Sequence, residues 1–199
     1  MDLPIPMDLR HQLGNRPATY ADLEALPSDV KGEILDGTLY TQPRPRAWHT
    51  LLEGAAFYDL YGRFHRGHGG PGGWWVVIEP GIELPRSPEF SPDSAGWRRS
   101  RMPRPPGPRE PWRVVPDWIF EVLSPSNRVY DLTIKRQFYA EIGVQHLWYL
   151  DVEARAVLVS RNVDGRWHDL GEFTDRSPVR IEPFDAVELD LREWWPDAP

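Results

Sequence analysis

Two ionisable residues lie within segments that are otherwise apolar, and their types suit hydrolytic chemistry. Glu121 interrupts an apolar run, and Lys135 lies within the apolar stripe of the segment that follows. A lone buried charge is costly, so each residue requires a partner or a chemical task. A carboxylate and an ammonium that converge beside a β-sheet favour a metal-dependent hydrolytic site. The alternative at this point is a purely structural ion pair between the two residues.

The elements that position these two residues form a predicted strand–helix–strand unit. Residues 118–123 are predicted as a strand, in which alternation places Glu121 on an apolar face. Helical periodicity over residues 131–142 places Lys135 near the middle of the apolar arc. A second strand is predicted over residues 146–151. The unit brings the ammonium of the helix towards the carboxylate of the preceding strand.

The rest of the chain alternates short helices and strands. Helices are predicted over 19–26 and 48–66, a hairpin over 32–41, and strands over 74–84, 95–97, 156–160 and 167–173. Residues 1–18 are predicted to be a loose lead-in, 85–92 a turn, and 98–113 a loop rich in Arg and Pro. The apolar residues of the C-terminal tail are predicted to form a packing lid. This order predicts an α/β (α+β) fold, one domain over residues 1–199 with a central mixed sheet.

Composition excludes several classes of protein. The chain has 199 residues, enough for one sizeable core, and no apolar run approaches the roughly 20 residues of a membrane span. The N-terminus lacks the pattern of a secretory signal. There is no cysteine, so disulfides and thiolate metal sites are excluded and any metal must use oxygen or imidazole ligands. A cytoplasmic protein is expected.

Positive charge is distributed unevenly along the chain. The formal net charge of −7 argues against a general nucleic-acid coat protein. Six arginines nevertheless crowd one Pro-rich segment: Arg98, Arg99, Arg101, Arg104, Arg109 and Arg113. That segment could follow a phosphate backbone, and a solvated loop is an equally good interpretation.

Lysine is rare in this chain. Lys31 and Lys135 are the two lysines among 23 basic residues. Lysine can shift its pKa and exchange a proton, and arginine cannot, so a lysine on an inward face suggests that an ammonium is required there.

Three further residues are candidates, each with an ordinary alternative. Asp93 follows Pro92 and could be a turn residue. His49 lies at a helix start, where a capping or solvent-facing imidazole is common, and Glu33 opens a hairpin strand, where a surface carboxylate is common. No Ser, His and Asp set has the spacing of a nucleophile elbow, so acyl transfer is not supported.

Several motifs together resemble one family. They are EILDG, the helix-opening His49, FSPDSAGWRRSRMP, VVPDWIFEVLSPS, the spaced D-x-x-x-K-x-x-x-Y of residues 131–139, and EIGVQHLWYLD. In these the chain resembles the Uma-type putative restriction endonuclease family of the PD-(D/E)XK nuclease superfamily, over nearly its whole length. The resemblance implies a restriction-endonuclease-like fold, with a central mixed sheet flanked by helices.

The resemblance also implies roles for individual residues. Asp93 matches the Asp of the first motif, and Glu121 matches the acid of the second. The usual signature has a Lys two residues beyond that acid, where this chain has Leu123. Lys135, on the following helix, resembles a migrated replacement for that lysine.

A metal-dependent mechanism follows from the resemblance. Asp93, Glu121 and the carbonyl of Val122 would hold Mg²⁺ or Mn²⁺. Lys135 would orient or deprotonate the attacking water. Glu33 and His49 are auxiliary candidates for a second metal or a water, and Tyr139, one turn from Lys135, is a further auxiliary candidate.

The resemblance implies DNA as the substrate and hydrolysis of its phosphodiester bonds. The predicted DNA contacts are Arg98, Arg99, Arg101 and Arg104. A homodimer is compatible with the resemblance by analogy alone. Two alternatives remain: a catalytically inactive DNA- or protein-binding module of the same fold, and a carbohydrate hydrolase that uses Asp93 and Glu121 as its carboxylate pair.

Overall fold

A six-stranded β-sheet lies at the centre of the computed structural model, which describes residues 7–8, 16–43, 46–125 and 127–196. Along the chain the strands are β1 (Met7–Asp8), β2 (Val30–Leu35), β3 (Thr38–Pro43), β4 (Trp74–Ile78), β5 (Ile82–Leu84), β6 (Ser87–Phe90), β7 (Ser94–Arg98), β8 (Trp118–Leu123), β9 (His146–Asp151), β10 (Ala156–Val163) and β11 (Arg166–Thr174). The helices are α1 (Tyr20–Glu24), α2 (Ala47–Leu60), α3 (Arg128–Tyr130) and α4 (Arg136–Ile142). Single π-helical turns follow α2 at Tyr61–His65 and α3 at Asp131–Lys135, and a 3-10 turn lies at Leu191–Glu193.

The central sheet is mixed, as the sequence predicts. Its strand order is β11-β10-β9-β8-β7-β4. Strands β8 and β9 run parallel, with Glu121 opposite Tyr149, and the other neighbouring strands of this sheet run antiparallel. A parallel pair requires a crossover connection, and the helical segment from α3 to α4 provides it. Strand β8, which carries Glu121, and strand β7, which follows Asp93, both lie in the interior of the sheet.

Helices cover both faces of this sheet, which confirms the predicted α+β architecture. One face packs on Leu52 and Leu60 of α2 and on Trp194 of the C-terminal tail. The opposite face packs on Tyr130 and Tyr139 of the α3–α4 segment. The tail residues predicted to form a packing lid are buried there.

The N-terminal hairpin lies in a second sheet of order β1-β3-β2. The turn between β2 and β3 is made by Asp36 and Gly37, both with positive φ (48° and 77°), which is the type of turn that suits a two-residue hairpin. The Asp36 amide donates to Ser87 Oγ at 2.9 Å and the Gly37 amide to the Arg86 carbonyl at 2.7 Å. These bonds dock β2 beside β6, so that Glu33 becomes 1% exposed.

Some local predictions were wrong. Residues 87–90 form strand β6 rather than part of a turn; Pro88 is tolerated because the two-stranded sheet of β5 and β6 has free edges. The strand predicted over residues 74–84, with a Pro-Gly interruption, is divided there into β4 and β5; the two parts lie in different sheets, which was not predicted. The helical segment begins at Arg128 rather than at residue 131. Within the predicted lead-in, Met7–Asp8 pair with β3 and Ala18 is buried, while residues 1–6 and 9–15 lie outside the described residues.

None of the helices in the described part of the chain is long and apolar enough to cross a membrane.

Candidate active site

Two buried carboxylates lie side by side on neighbouring strands. Asp93 immediately precedes β7, and Glu121 lies on β8, which pairs with β7. The Asp93 amide approaches Glu121 Oε2 at 3.4 Å, and Asp93 Oδ2 accepts from the Val122 amide at 2.7 Å. The two residues are 4% and 1% exposed. An apolar protein interior does not tolerate such a pair without compensating charge.

Lys135 supplies part of that charge. Its Nζ lies 2.8 Å from Glu121 Oε1, 3.2 Å from Glu33 Oε2 and 3.8 Å from Asp131 Oδ1. Tyr139 donates its hydroxyl to the same Glu121 Oε1 at 2.5 Å. Lys135 ends the π-helical turn, a local widening of the helix that is often found at functional sites. The inward lysine thus reaches the sheet instead of extending to solvent.

Burial and neighbouring charge set the protonation of this cluster. Burial raises the pKa of Glu121 to about 7, against the opposing effect of Lys135. Burial alone would lower the pKa of Lys135, but the charges of Glu121 and Glu33 hold it well above its ordinary value. Burial also raises the pKa of Asp131, both of whose carboxylate oxygens lack a hydrogen-bond partner among the described residues. Lys135 is therefore an ammonium at neutral pH.

A second group approaches Asp93 from helix α2. His49 and Glu53 lie four residues apart, on one face of that helix, and both are 5% exposed. His49 Nε2 lies 3.2 Å from Asp93 Oδ2 and 3.9 Å from Glu53 Oε2. One potential ligand atom from each of the three residues lies within 4.8 Å of the others, so the group could hold a metal ion.

Two atoms of this group lack hydrogen-bond partners. His49 Nε2 is close to Asp93 but not aligned for a hydrogen bond, and Glu53 Oε1 has no partner among the described residues. A buried polar atom without a partner costs about 1–3 kcal/mol. His49 Nε2 and Glu53 Oε1, together with the Asp93 carboxylate, make a donor set that fits a divalent cation.

The pKa shifts of Glu53 and Asp93 also favour a bound cation at this group. Burial raises the pKa of Glu53 to about 8, helped by the negative charges of Asp93 and Glu79. Burial would also raise the pKa of Asp93, but the adjacent His49 imidazole and the charges of Lys31 and Lys135 hold it well below its ordinary value. A cation bound here would replace the proton on Glu53.

The structure brings most of the predicted site residues together and adds one. Asp93, Glu121, Lys135, Glu33, His49 and Tyr139 converge, and Val122 is held to Asp93 through its amide. The sequence analysis did not identify Glu53. Its spacing of four residues from His49 on a predicted helix was a usable signal, because that spacing aligns two side chains.

The arginines predicted to contact DNA lie elsewhere. Asp93 precedes β7 and Arg98 ends it, so the two are about 17 Å apart along an extended strand. Arg98 and Arg99 stack on neighbouring tryptophan rings, with their guanidinium carbons 4.4 Å and 4.0 Å from the ring centroids. Arg101 pairs with a buried aspartate at 3.0 Å, and Arg104 is exposed. These side chains do not join the carboxylate cluster.

Comparisons with known proteins agree with this architecture. The model of the Uma2 family, described as "Putative restriction endonuclease", matches residues 17–192. A solved structure described as a putative nuclease belonging to DUF820 from Anabaena variabilis is similar, with a TM-score of 0.67 and 19% sequence identity. The similarity covers 90% of this chain and 98% of that chain. At this identity it shows the fold alone. A search of curated proteins finds no significant match.

Proposed function

Because the chain belongs to the Uma2 family of putative restriction endonucleases, we propose that it is a metal-dependent endonuclease that hydrolyses DNA phosphodiester bonds. The observation that carries the proposal is the convergence of Asp93, Glu121 and Lys135, three groups that lie far apart in the sequence and are 4%, 1% and 2% exposed. They supply an acid, a second acid and an ammonium, the groups of the nuclease signature, although the ammonium comes from the following helix.

The metal ligands that the structure favours are Asp93, His49 and Glu53. The resemblance implied a different set, in which Glu121 and the Val122 carbonyl accompany Asp93. The Val122 carbonyl has a neighbour in the Asn127 side-chain amide at 3.4 Å, and Glu121 Oε1 is engaged by Lys135 and Tyr139. His49 Nε2 and Glu53 Oε1 have no hydrogen-bond partner among the described residues, which supports the set on α2. Oxygen ligands with one imidazole suit Mn²⁺, and Mg²⁺ remains compatible with the carboxylates.

The bound cation would neutralise charge on the scissile phosphate and make a nearby water more acidic. The chain's own residues would do the rest. Lys135, which stays protonated, would donate to the attacking water and hold it in line with the phosphorus. Glu121, whose pKa is raised to about 7, would take the proton on Oε2, the oxygen that Lys135 and Tyr139 leave free.

The test is a titration of Mn²⁺ and Mg²⁺ by calorimetry, with cleavage of supercoiled plasmid scored on the same samples. Glu53→Gln should lose metal binding and cleavage. Glu121→Gln should keep metal binding and lose cleavage. Metal binding lost in Glu121→Gln and kept in Glu53→Gln would restore the ligand set implied by the resemblance. If the wild type shows no metal binding and no cleavage, the proposed activity is overturned.

One observation favours a second function. Lys135 contacts three carboxylates and is 2% exposed, as expected of a structural ion pair in a catalytically inactive DNA- or protein-binding module. Such a module would bind its partner without divalent metal. The carbohydrate hydrolase has less support, since Asp93 and Glu121 are both buried and the Asp93 amide lies 3.4 Å from Glu121 Oε2, whereas a glycosidase needs its carboxylate pair open to the sugar.

A further inference from the structure

Lys31, the other lysine of the chain, lies beside the same site. It precedes Glu33 by two residues on β2, so the two side chains share one face of the strand. Its Nζ lies 3.3 Å from Glu79 Oε1, and its side chain is 16% exposed. Lys31 therefore lies at the boundary between the buried carboxylates and solvent.

Glu79 forms the outer side of this boundary. It directly follows β4, and its amide donates to the Asp93 carbonyl at 2.9 Å. Its side chain is 54% exposed. Its φ of 39° lies in the left-handed region, which non-glycine residues rarely adopt and which tends to occur at functional sites. The ion pair thus connects β2 to the backbone beside Asp93.

Lys31 and Lys135 differ in how firmly their partners hold them. Lys135 is enclosed by three buried carboxylates. Glu79 is the hydrogen-bond partner of Lys31 among the residues that the structure describes, and it is largely in water. Because Glu79 is 54% exposed, water weakens its hold on Lys31, so Lys31 can exchange Glu79 for another anion more readily than Lys135 can exchange its buried partners.

Lys31 is also charged at neutral pH. Burial lowers its pKa, but the charges of Glu33, Asp93 and Glu79 outweigh that effect and raise it above its ordinary value. Many carboxylates surround the site, and the arginines of β7 and its loop lie at the other end of that strand. Lys135 is committed to its buried carboxylates, so the cation best placed to meet an incoming phosphodiester at the solvent side of the site is Lys31.

We propose that Lys31 binds a phosphate of the DNA substrate at the entrance of the site, exchanging Glu79 for a phosphate oxygen. The inference rests on the proposed function, since it names a substrate-binding residue for that reaction. Glu79 would then act as a stand-in for the phosphate, holding Lys31 extended over the site until DNA arrives.

The experiment is fluorescence anisotropy with a short fluorescein-labelled DNA duplex and the full chain, with Ca²⁺ in place of Mn²⁺ to slow cleavage. Affinity is measured at several salt concentrations between about 50 and 200 mM, because the slope of log affinity against log salt changes by about 0.9 for each phosphate contact on duplex DNA. The variants are Lys31→Gln, Lys31→Arg and Glu79→Gln. The matched control is Arg161→Gln, which removes one cation from an exposed ion pair with Glu182 at the other end of the sheet.

Lys31→Gln should bind more weakly and reduce the slope by about 0.9, while Lys31→Arg and the control keep the wild-type slope. Glu79→Gln should bind more tightly, because it removes the competing carboxylate. An unchanged slope in Lys31→Gln, or weaker binding in Glu79→Gln, would show that the pair only supports the fold and would overturn the inference alone. A wild type that binds no DNA would overturn the proposed substrate as well.

Discussion

Replacing Lys135 by Met tests whether this ammonium is what makes the buried carboxylates tolerable. At an effective dielectric constant of about 20, a full charge at 2.8 Å from Glu121 contributes about 6 kcal/mol, and one at 3.2 Å from Glu33 about 5 kcal/mol. Asp131 adds less, because it is farther away, at 3.8 Å, and because burial raises its pKa. Desolvation of the ammonium offsets several kcal/mol of this attraction.

The attraction that remains after desolvation sets the stability that Lys135→Met is expected to lose. Removing one partner of a buried ion pair typically destabilises a protein by about 3–5 kcal/mol, and we expect Lys135→Met to fall in that range at pH 8. The cost should shrink towards pH 5. A carboxyl whose pKa is raised by burial, as that of Glu121 is to about 7, holds its proton more tightly in the folded chain than in the unfolded chain. The stability that protonated Glu121 contributes is therefore lost as the pH rises through its folded-state pKa. Removing Lys135 raises that pKa further, so the variant loses more stability than the wild type at high pH.

The assay is urea unfolding of the metal-free protein at pH 5, 7 and 8, compared with Arg161→Met. Arg161 pairs with Glu182 at 3.1 Å, but the side chains are 46% and 40% exposed, so water screens the pair and the control should lose less than about 1 kcal/mol at every pH. A loss of that small size in Lys135→Met at pH 8, or a loss that does not depend on pH, would refute the electrostatic account of the cluster.

Three further outcomes follow from the same geometry. Because burial raises the pKa of Glu53 to about 8, Mn²⁺ binding at pH 7 should release a proton, and the affinity for Mn²⁺ should increase from pH 6 to pH 8. Calorimetry in buffers of different ionisation enthalpy measures both effects, and binding without proton release would exclude Glu53 as a ligand. Glu53→Gln should flatten the decline in metal-free stability between about pH 5 and pH 8 and abolish the rise in melting temperature with Mn²⁺, and a retained rise would contradict the ligand set. Tyr139→Phe should lose about 1.5–3 kcal/mol through its missing hydrogen bond to Glu121, measured by urea unfolding, whereas a neutral effect would show that this bond contributes nothing.

Local patterns were sufficient for the strand–helix–strand unit. Alternation along residues 118–123 placed Glu121 on the apolar face, and that face packs against the helical segment in the structure. Helical periodicity placed Lys135 on the inward arc, and Gly143, with a φ of 90°, ends the helix where predicted. These features depend on neighbours within a few residues, so the sequence contains the information directly.

The tertiary structure alone decided what meets Asp93. Helix α2 and strand β7 are separated by more than thirty residues of chain, so the meeting of His49, Glu53 and Asp93 depends on sheet order and helix docking. Arg98 lies five residues from Asp93 in the sequence, yet the extended strand separates the two by about 17 Å. Lys31, which is distant in sequence, lies beside the site because the hairpin docks on β6. Periodicity predicts the face on which a side chain lies, and only the packing of whole elements determines which other side chains share that space.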